Sequence, residues 1–258
     1  MKLVIERTKE VMGQRAALHA SELIKDAIKK RGCARILLST GASQFPFFEA
    51  FVKADIDWSR VEMFHLDEYV GISAEHPASF QRYLLDRFVN VVNPGKVHLI
   101  NGETAPEETI AHLTALLEEA PIDVGLIGIG ENAHIAFNDP PADFNDTCAY
   151  KVVTLAERCL MQQVGEGWFA NVDEAYKQAI SMTCPQIMKC RSILSVVPYA
   201  VKAEAVFKTM TTELSPEVPA TLLKEHPDFT LYCDSDSASL ILADEGLKSE
   251  IEKVLVKE

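Results

Sequence analysis

Residues 124–140 read VGLIGIGENAHIAFNDP, an apolar run that ends in glycines and then presents His134 among polar side chains. Short apolar runs that end in glycine are typical of buried parallel strands, and ligands of open α/β sheets bind at the carboxyl ends of such strands. Residues 64–71, FHLDEYVG, repeat this arrangement and place Asp67 and Glu68 after a second apolar run. An imidazole and a carboxylate at two strand ends indicate an enzyme that transfers protons.

Similar apolar runs recur along the chain and alternate with segments of helical periodicity. Strands are expected at residues 3–5, 35–38, 61–66, 97–100, 124–127, 180–183, 192–197 and 229–233. Helices are expected at residues 9–30, 47–53, 77–89, 106–119, 185–189, 200–209 and 219–224, with a closing helix from about residue 238. This alternation predicts an α/β fold in which helices cover both faces of a parallel sheet. Because no linker or repeat divides the sequence, residues 1–258 are expected to form a single domain.

Composition limits the class of protein and its partners. The chain has 258 residues, of which 48% are hydrophobic, so it can bury a substantial core. No apolar run approaches the roughly 18 residues of a membrane span, and the first residues lack the apolar core of a signal peptide, so we expect a cytoplasmic protein without a membrane partner. The net charge of -13 argues against a nucleic-acid partner, whose phosphates such a surface would repel. A locally positive pocket for a small phosphorylated molecule is still compatible with this negative net charge.

The six cysteines are widely spaced and form neither a CxxC pair nor a Cys/His pair at the spacing of metal ligands. We therefore expect reduced, structural thiols and no metal site.

A loop of small residues between a predicted strand and a predicted helix is the candidate anion site. It consists of Ser39, Thr40, Gly41, Ala42 and Ser43. Small side chains let backbone N–H groups and hydroxyls approach an anion at a helix N-terminus, which is how phosphate is bound in many α/β proteins. The spacing matches neither GxGxxG nor a P-loop, so an ordinary tight turn is an equal alternative at this point.

Two adjacent acids and a histidine with polar neighbours carry the candidate chemistry. Asp67 and Glu68 are adjacent on an extended segment, so their side chains point to opposite sides and only one can be a base in the site; a helix cap or solvated turn is the alternative for either. His134 is flanked by Asn132 and Asp139, which can fix its tautomer, although a histidine satisfied within the core is the commoner case.

Lys202 follows a predicted strand at the start of a predicted helix, where its ammonium could reach a bound phosphate. A solvated helix lysine is the alternative.

Together these segments resemble the glucosamine-6-phosphate deaminase (isomerase) family, which shares a modified Rossmann-like fold with the 6-phosphogluconolactonases. The resemblance is carried by LDEYVG at residues 66–71, by HIAFN at residues 134–138 and by the order of loop, acid, histidine and lysine. It implies a three-layer α/β/α fold with a mostly parallel central sheet. The lactonases carry arginine where this chain has Tyr69, which favours the deaminase side.

The resemblance also implies a role for each site residue. Asp67 would be the isomerisation base, and His134 would assist ring opening. Residues 40–43 and Lys202 would hold the sugar phosphate.

This chain departs from the family pattern at two places. The family usually has Asp-Gly-His-Ile-Ala-Phe-Asn-Glu, whereas residues 132–139 read NAHIAFND, so Asn132 replaces a carboxylate and Asp139 replaces a longer acid. The family also places a phosphate-binding arginine just before an aromatic pair, where this chain has Gly167. Arg158 lies upstream and is the candidate substitute.

The implied reaction is the conversion of glucosamine 6-phosphate to fructose 6-phosphate and ammonia, without metal or organic cofactor. The partner would be a small phosphorylated sugar, and a homo-oligomer is a candidate assembly. One alternative is an isomerase or deaminase of another amino-sugar phosphate, or a 6-phosphogluconolactonase-like hydrolase. Another is a weakly catalytic sugar-phosphate-binding regulator, because Asn132 removes a charge from the catalytic cluster.

Overall fold

The computed structural model describes residues 1–165 and 167–246. Within these ranges the strands are β1 (Lys2–Glu6), β2 (Ala34–Leu38), β3 (Val61–His65), β4 (Asp67–Tyr69), β5 (Lys96–His98), β6 (Val124–Leu126), β7 (Tyr150–Thr154), β8 (Gln178–Met182), β9 (Ser192–Val197) and β10 (Phe229–Asp234). The α-helices are α1 (Lys9–Arg31), α2 (Phe45–Phe51), α3 (Phe80–Leu84), α4 (Asn90–Val92), α5 (Pro106–Glu119), α6 (Glu157–Gly165), α7 (Cys184–Ile187), α8 (Ala203–Thr211) and α9 (Ser239–Ala243). None of these helices is long and apolar enough to cross a membrane.

Seven strands form the central sheet, in the order β1-β10-β9-β6-β2-β3-β5. Every neighbouring pair in this sheet is parallel, which confirms the predicted architecture. All residues of β2, β3, β9 and β10 are buried, as expected for a parallel sheet that is covered on both faces. Four strand ends that carry candidate site residues, those of β9, β6, β2 and β3, are therefore adjacent in space.

The two faces of the sheet belong to separate hydrophobic clusters. Ile36 packs with α1 and α2, whereas its neighbour Leu37 packs on the other face with residues of α5, α7, α8 and α9. Alternate side chains of a strand point to opposite faces, so an apolar run such as that of β2 contributes to both clusters. The result is the three-layer α/β/α arrangement.

The helix α1 illustrates how the sequence sets an element. The Thr8 hydroxyl accepts a hydrogen bond from Val11 N at its start, and Gly32, at φ 82, ends it in the left-handed conformation. The helix packs closely against the first turn of α2, and Gly13 permits this approach because a Cβ there would be 2.4 Å from the Pro46 carbonyl oxygen.

A second sheet was not predicted. It has three antiparallel strands in the order β4-β8-β7, and it takes the strand predicted at residues 180–183 out of the parallel series. Asp67 pairs with Ser181 and Glu68 with Ile180, so this small sheet fixes the segment that carries the candidate base. Strand pairing between residues more than 100 positions apart leaves no signature in the local pattern of either strand.

Several predicted helix bounds differ from the observed ones. The helix predicted at residues 47–53 begins at Phe45, because Pro46 fits the first turn of a helix. The helix predicted at residues 77–89 begins at Phe80, after Ser79 accepts a hydrogen bond from Arg82 N, and continues as a π-helical turn at Leu85–Val89.

Other segments differ in kind. The helix predicted at residues 200–209 starts with a 3₁₀ turn at Ala200–Lys202, and that predicted at 219–224 is entirely 3₁₀, at Pro219–Glu225. The helix α6 was not predicted. The closing helix predicted from residue 238 is present as α9, and any continuation beyond residue 246 lies outside the described residues.

Candidate active site

A cleft of about 550 Å³ opens at the carboxyl ends of the four adjacent strands β9, β6, β2 and β3. Seven of the predicted site residues line the cleft: Ser39, Thr40, Gly41, Ser43, Asp67, His134 and Lys202. Asn132 and Asp139 contact His134 beside the cleft, whereas Ala42 and Arg158 are not part of its lining.

The small-residue loop after β2 is bonded to the neighbouring strand ends. Ser39 Oγ accepts a hydrogen bond from Gly128 N at 3.1 Å, and Gln44 Nε2 donates to the Val196 carbonyl at 3.0 Å. Gly41 has φ 101, a conformation that favours glycine, and it leads into a 3₁₀ turn at Ala42–Gln44 that continues as α2. The loop thus presents the start of a helical segment to the cleft, which is suitable geometry for an anion.

Lys202 follows β9 and lines the same cleft. The residue is 4% exposed and is the last of the 3₁₀ turn that precedes α8. That turn is set by Tyr199, whose φ of 79 is uncommon for a bulky residue. The Asp234 carboxylate holds Tyr199 there by accepting from its backbone N–H, at 3.1 Å and 3.3 Å. A buried ammonium in a cleft with a helix start is suited to a doubly charged phosphate.

His134 and Asp139 form a hydrogen-bonded pair. His134 Nδ1 lies 3.1 Å from Asp139 Oδ1, so the carboxylate, which only accepts, places the proton on Nδ1 and leaves Nε2 for chemistry. Asp139 in turn accepts from Asn132 Nδ2 at 3.0 Å and from Ala156 N at 3.1 Å. The hydrogen bonds of Asn132 go to Asp139 and to the His134 backbone, whose N–H donates to Asn132 Oδ1 at 3.2 Å.

The carboxylate that accompanies the imidazole is therefore Asp139, and Asn132 acts by holding both partners. Burial favours a higher pKa for the Asp139 carboxyl, but hydrogen bonds from His134 and Asn132 outweigh burial and bring its pKa below the usual value. Asp139 thus keeps its negative charge beside the ring across the neutral pH range.

The imidazole is placed against Gly130, at the end of the glycine-rich run. A Cβ on Gly130 would lie 2.3 Å from His134 Nε2 and 2.4 Å from its Cε1. The turn between them is closed by hydrogen bonds from Gly130 N to the His134 carbonyl and from Ala133 N to the Gly130 carbonyl. Ala133 has φ 65, in the left-handed region that is usually occupied by glycine. Only glycine at position 130 leaves room for the ring.

Asp67 and Glu68 point to opposite sides of β4, as the extended segment predicts. Asp67 lines the cleft, whereas Glu68 is fully buried and accepts from Tyr69 N, Ser79 Oγ and Gln81 N. Glu68 therefore holds the start of α3, and Asp67 is the carboxyl that a ligand can reach.

Both buried carboxyls have raised pKa values. Burial raises the pKa of Asp67 to about 8, and the nearby charge of Glu68 contributes to the rise. Burial raises the pKa of Glu68 to about 7, although hydrogen bonds from Gln81, Tyr69 and Ser79 act in the opposite direction. A carboxyl with a raised pKa in a cleft is a stronger base once ionised, and a cation bound beside it favours the ionised form.

A sequence profile described as glucosamine-6-phosphate isomerases/6-phosphogluconolactonase matches residues 7–231. The chain belongs to this family. A glucosamine-6-phosphate deaminase of Thermoanaerobacter pseudethanolicus is 35% identical over 263 residues, covering 99% of this chain and 100% of the relative. One from Oenococcus oeni is 31% identical over 243 residues, covering 93% of this chain and 99% of the relative.

Solved structures agree with this assignment. A monomeric glucosamine-6-phosphate deaminase matches with a TM-score of 0.85 at 29% identity and covers 93% of this chain and 100% of its own. A 6-phosphogluconolactonase from Shewanella baltica OS155 matches with a TM-score of 0.74 at 17% identity, covering 91% and 97%, and shows the shared fold alone. The family resemblance and the Rossmann-like fold class are thereby confirmed.

The cleft also contains residues that the sequence analysis did not predict. Gln162 and Gln163 of α6 line it, together with Phe80 and Phe137, whose rings stack at 5.7 Å. The unpredicted helix α6 explains the two glutamines. Arg158, on the same helix, is exposed and outside the cleft lining, so its proposed phosphate contact would require rearrangement of α6 or of the side chain.

Proposed function

We propose that this chain converts glucosamine 6-phosphate and water to fructose 6-phosphate and ammonia. The observation that carries the proposal is the presence, in one cleft, of a buried carboxyl, a carboxylate-paired imidazole, a loop of small residues and a buried lysine. The relatives named glucosamine-6-phosphate deaminase that align along nearly the whole chain support it.

Substrate binding is proposed to start from the phosphate. The loop of residues 39–43 and the Lys202 ammonium line the same cleft, so a phosphate held there extends its sugar towards Asp67 and His134. The net charge of the chain, -13, supports a small ligand recognised in a local pocket rather than a nucleic acid.

Ring opening is assigned to His134. Its Nε2 accepts the proton of the anomeric hydroxyl and returns a proton to the ring oxygen, which breaks the bond between C1 and that oxygen and gives the open-chain aldehyde. The imidazolium that forms between these two transfers is stabilised by Asp139, 3.1 Å from Nδ1.

Isomerisation is assigned to Asp67. Its carboxylate takes the proton from C2 while one proton of the substrate's C2 ammonium passes to O1, which gives a neutral enolamine. Asp67 then returns its proton to C1. Water then adds at C2 of the resulting iminium ion, and ammonia leaves. The substrate's own C2 ammonium stands beside Asp67 on entry, and this positive charge favours the carboxylate despite a pKa raised to about 8 by burial.

Ammonia release from glucosamine 6-phosphate by the purified full-length chain, followed with glutamate dehydrogenase, tests the proposal. Formation of fructose 6-phosphate in equal amount supports it. Turnover of another amino-sugar phosphate, or of 6-phosphogluconolactone, with none of glucosamine 6-phosphate would show that one of the alternative enzymes is the right one. Saturable binding without turnover of any of them would support the regulator.

A cytoplasmic location and a homo-oligomer stay predictions. Cell fractionation and light scattering of the purified protein test them separately from the catalytic assay.

A further inference from the structure

The catalytic pair has a third neighbour that the proposed reaction does not use. Cys159 lies in the first turn of α6 and is 1% exposed. Its Sγ, a ring nitrogen of His134 and a carboxylate oxygen of Asp139 all lie within 4.8 Å of one another. In the part of the chain that the structure describes, no other group of three potential metal ligands is this compact.

We propose that these three side chains form an inhibitory site for Zn²⁺ or a similarly thiophilic divalent ion. The proposal goes beyond the proposed function, because it concerns a metal ion that replaces the hydrogen bond between His134 and Asp139 rather than the sugar that the cleft accepts. Imidazole nitrogen, carboxylate oxygen and thiolate sulfur are the three ligand types that proteins use for zinc.

The geometry of the pair fits a metal ion. Two ligands of a tetrahedral zinc ion, bound at about 2.0–2.2 Å, are separated by about 3.3–3.6 Å. His134 Nδ1 and Asp139 Oδ1 are already 3.1 Å apart, so an ion can replace the hydrogen bond with little movement of either group. Cys159 Sγ has to approach by at most the difference between 4.8 Å and that spacing, which rotation of the side chain and a shift of α6 can provide.

The surroundings favour a fixed ligand set. Asp139 is held by Asn132 Nδ2 and Ala156 N, and Asn132 Oδ1 holds the His134 backbone. Such outer hydrogen bonds orient metal ligands in known sites. The three protein ligands leave a fourth position, which water can fill from the cleft that His134 lines.

The set also predicts which ions bind. A thiolate selects Zn²⁺, Cd²⁺ or Co²⁺ over Mg²⁺ and Ca²⁺, which prefer oxygen ligands. Binding converts the Cys159 thiol to a metal-bound thiolate and releases one proton to solvent, so affinity should increase with pH. An ion on Nδ1 also displaces the ring proton from Nδ1 to Nε2, so Nε2 can no longer accept the proton of the anomeric hydroxyl in the proposed ring opening.

The test uses the full chain, stripped of metal with a chelator and titrated with Co²⁺. The expected result is a thiolate-to-cobalt charge-transfer band that Zn²⁺ abolishes by displacing Co²⁺ and that excess Mg²⁺ leaves unchanged. The band should be absent in Cys159→Ser and Cys159→Ala and retained in Cys148→Ser, the matched control, since Cys148 is an exposed cysteine. Affinity for Zn²⁺, measured by competition with a chromophoric chelator, should fall at least about tenfold in both Cys159 variants.

A second measurement needs no variant. X-ray absorption of the zinc-loaded chain should show one sulfur ligand together with nitrogen or oxygen ligands. A shell of nitrogen and oxygen alone, or a cobalt band that depends on Cys148, would overturn the proposal even if the Cys159 variants failed to fold. Neither readout depends on turnover. The metal-site proposal can therefore be refuted while the proposed deaminase activity stands, and the deaminase proposal can be refuted while the metal site stands.

Discussion

Substitution of Gly130 by alanine should disable the site without unfolding the protein. The added Cβ would lie 2.3 Å from His134 Nε2, 2.4 Å from Cε1 and 2.5 Å from Cδ2. Ordinary contact for a Cβ begins at 3.4 Å, so the ring has to move by at least 1.1 Å, the difference between 3.4 Å and 2.3 Å. The backbone of Gly130 cannot move instead without breaking its hydrogen bond to the His134 carbonyl at 2.9 Å.

That displacement has a calculable consequence for rate. A misplacement of about 1 Å in a catalytic group can cost about 10²-fold, or roughly 2.7 kcal/mol of transition-state stabilisation. The three atoms nearest to the added Cβ all belong to His134, so the substitution acts first on the imidazole. We therefore expect kcat for ammonia release to fall by about 10²-fold and KM for glucosamine 6-phosphate to change by less than about threefold.

Gly128 offers a matched control in the same loop. Its added Cβ would be 3.5 Å from Gln44 Nε2 and 3.6 Å from Ser39 Oγ, which are ordinary contacts. Gly128→Ala should therefore lose far less activity than Gly130→Ala. Circular dichroism establishes that both variants fold, and the imidazole resonances of His134 report whether the ring has moved. Wild-type kcat in a folded Gly130→Ala protein, or equal losses in the two variants, would refute the steric argument.

Three further outcomes follow from the site. Asp67→Asn should lower kcat by about 10²–10⁴-fold with little change in KM. The variant should also become more stable relative to wild type as pH rises from about 4 to about 8. Burial raises the pKa of the wild-type carboxyl to about 8, so the folded wild type keeps a proton that the unfolded chain has already lost, and its stability falls over this range. Thermal unfolding across that range measures this, and parallel wild-type and variant curves would contradict it. Lys202→Ala should raise KM for the phosphorylated sugar at least about tenfold, because Lys202 is buried in the cleft. Arg158→Ala, at an exposed position, should raise KM by less than about twofold. Steady-state kinetics of the two variants would show the reverse order if Arg158 were the phosphate ligand. Asn132→Asp should destabilise the protein by about 1–3 kcal/mol at neutral pH and by less in acid, since it replaces the amide that donates to Asp139 with a like charge. Chemical denaturation at two pH values measures this difference. Equal losses of stability at both pH values would argue against charge repulsion.

Much of the fold was accessible from local patterns. The apolar runs of β2, β3, β6, β9 and β10 predicted buried parallel strands, because strands covered on both faces need no polar side. The helix α1 was predicted to within one residue at its end, since Gly32 can adopt the left-handed conformation that stops a helix. These signals depend on residues within one element.

The small antiparallel sheet and α6 were not accessible in this way. The strand β4 has only three residues, and β8 pairs with it across more than 100 positions. The helix α6 has only nine residues, and its apolar spacing was not recognised as helical in the sequence, so Gln162 and Gln163 were not assigned to the cleft in advance.

Residue identity in the sequence determined the chemistry available at the strand ends: a histidine after glycines, adjacent acids on an extended segment, a small-residue loop and a lysine before a helix. Tertiary structure decided which of these groups meet. Asp67 lines the cleft and Glu68 accepts hydrogen bonds at the start of α3, because the small sheet sets the orientation of β4. Tertiary structure also brought Cys159 to the histidine–carboxylate pair, although 25 residues separate it from His134, because packing of α6 depends on contacts that no local pattern encodes.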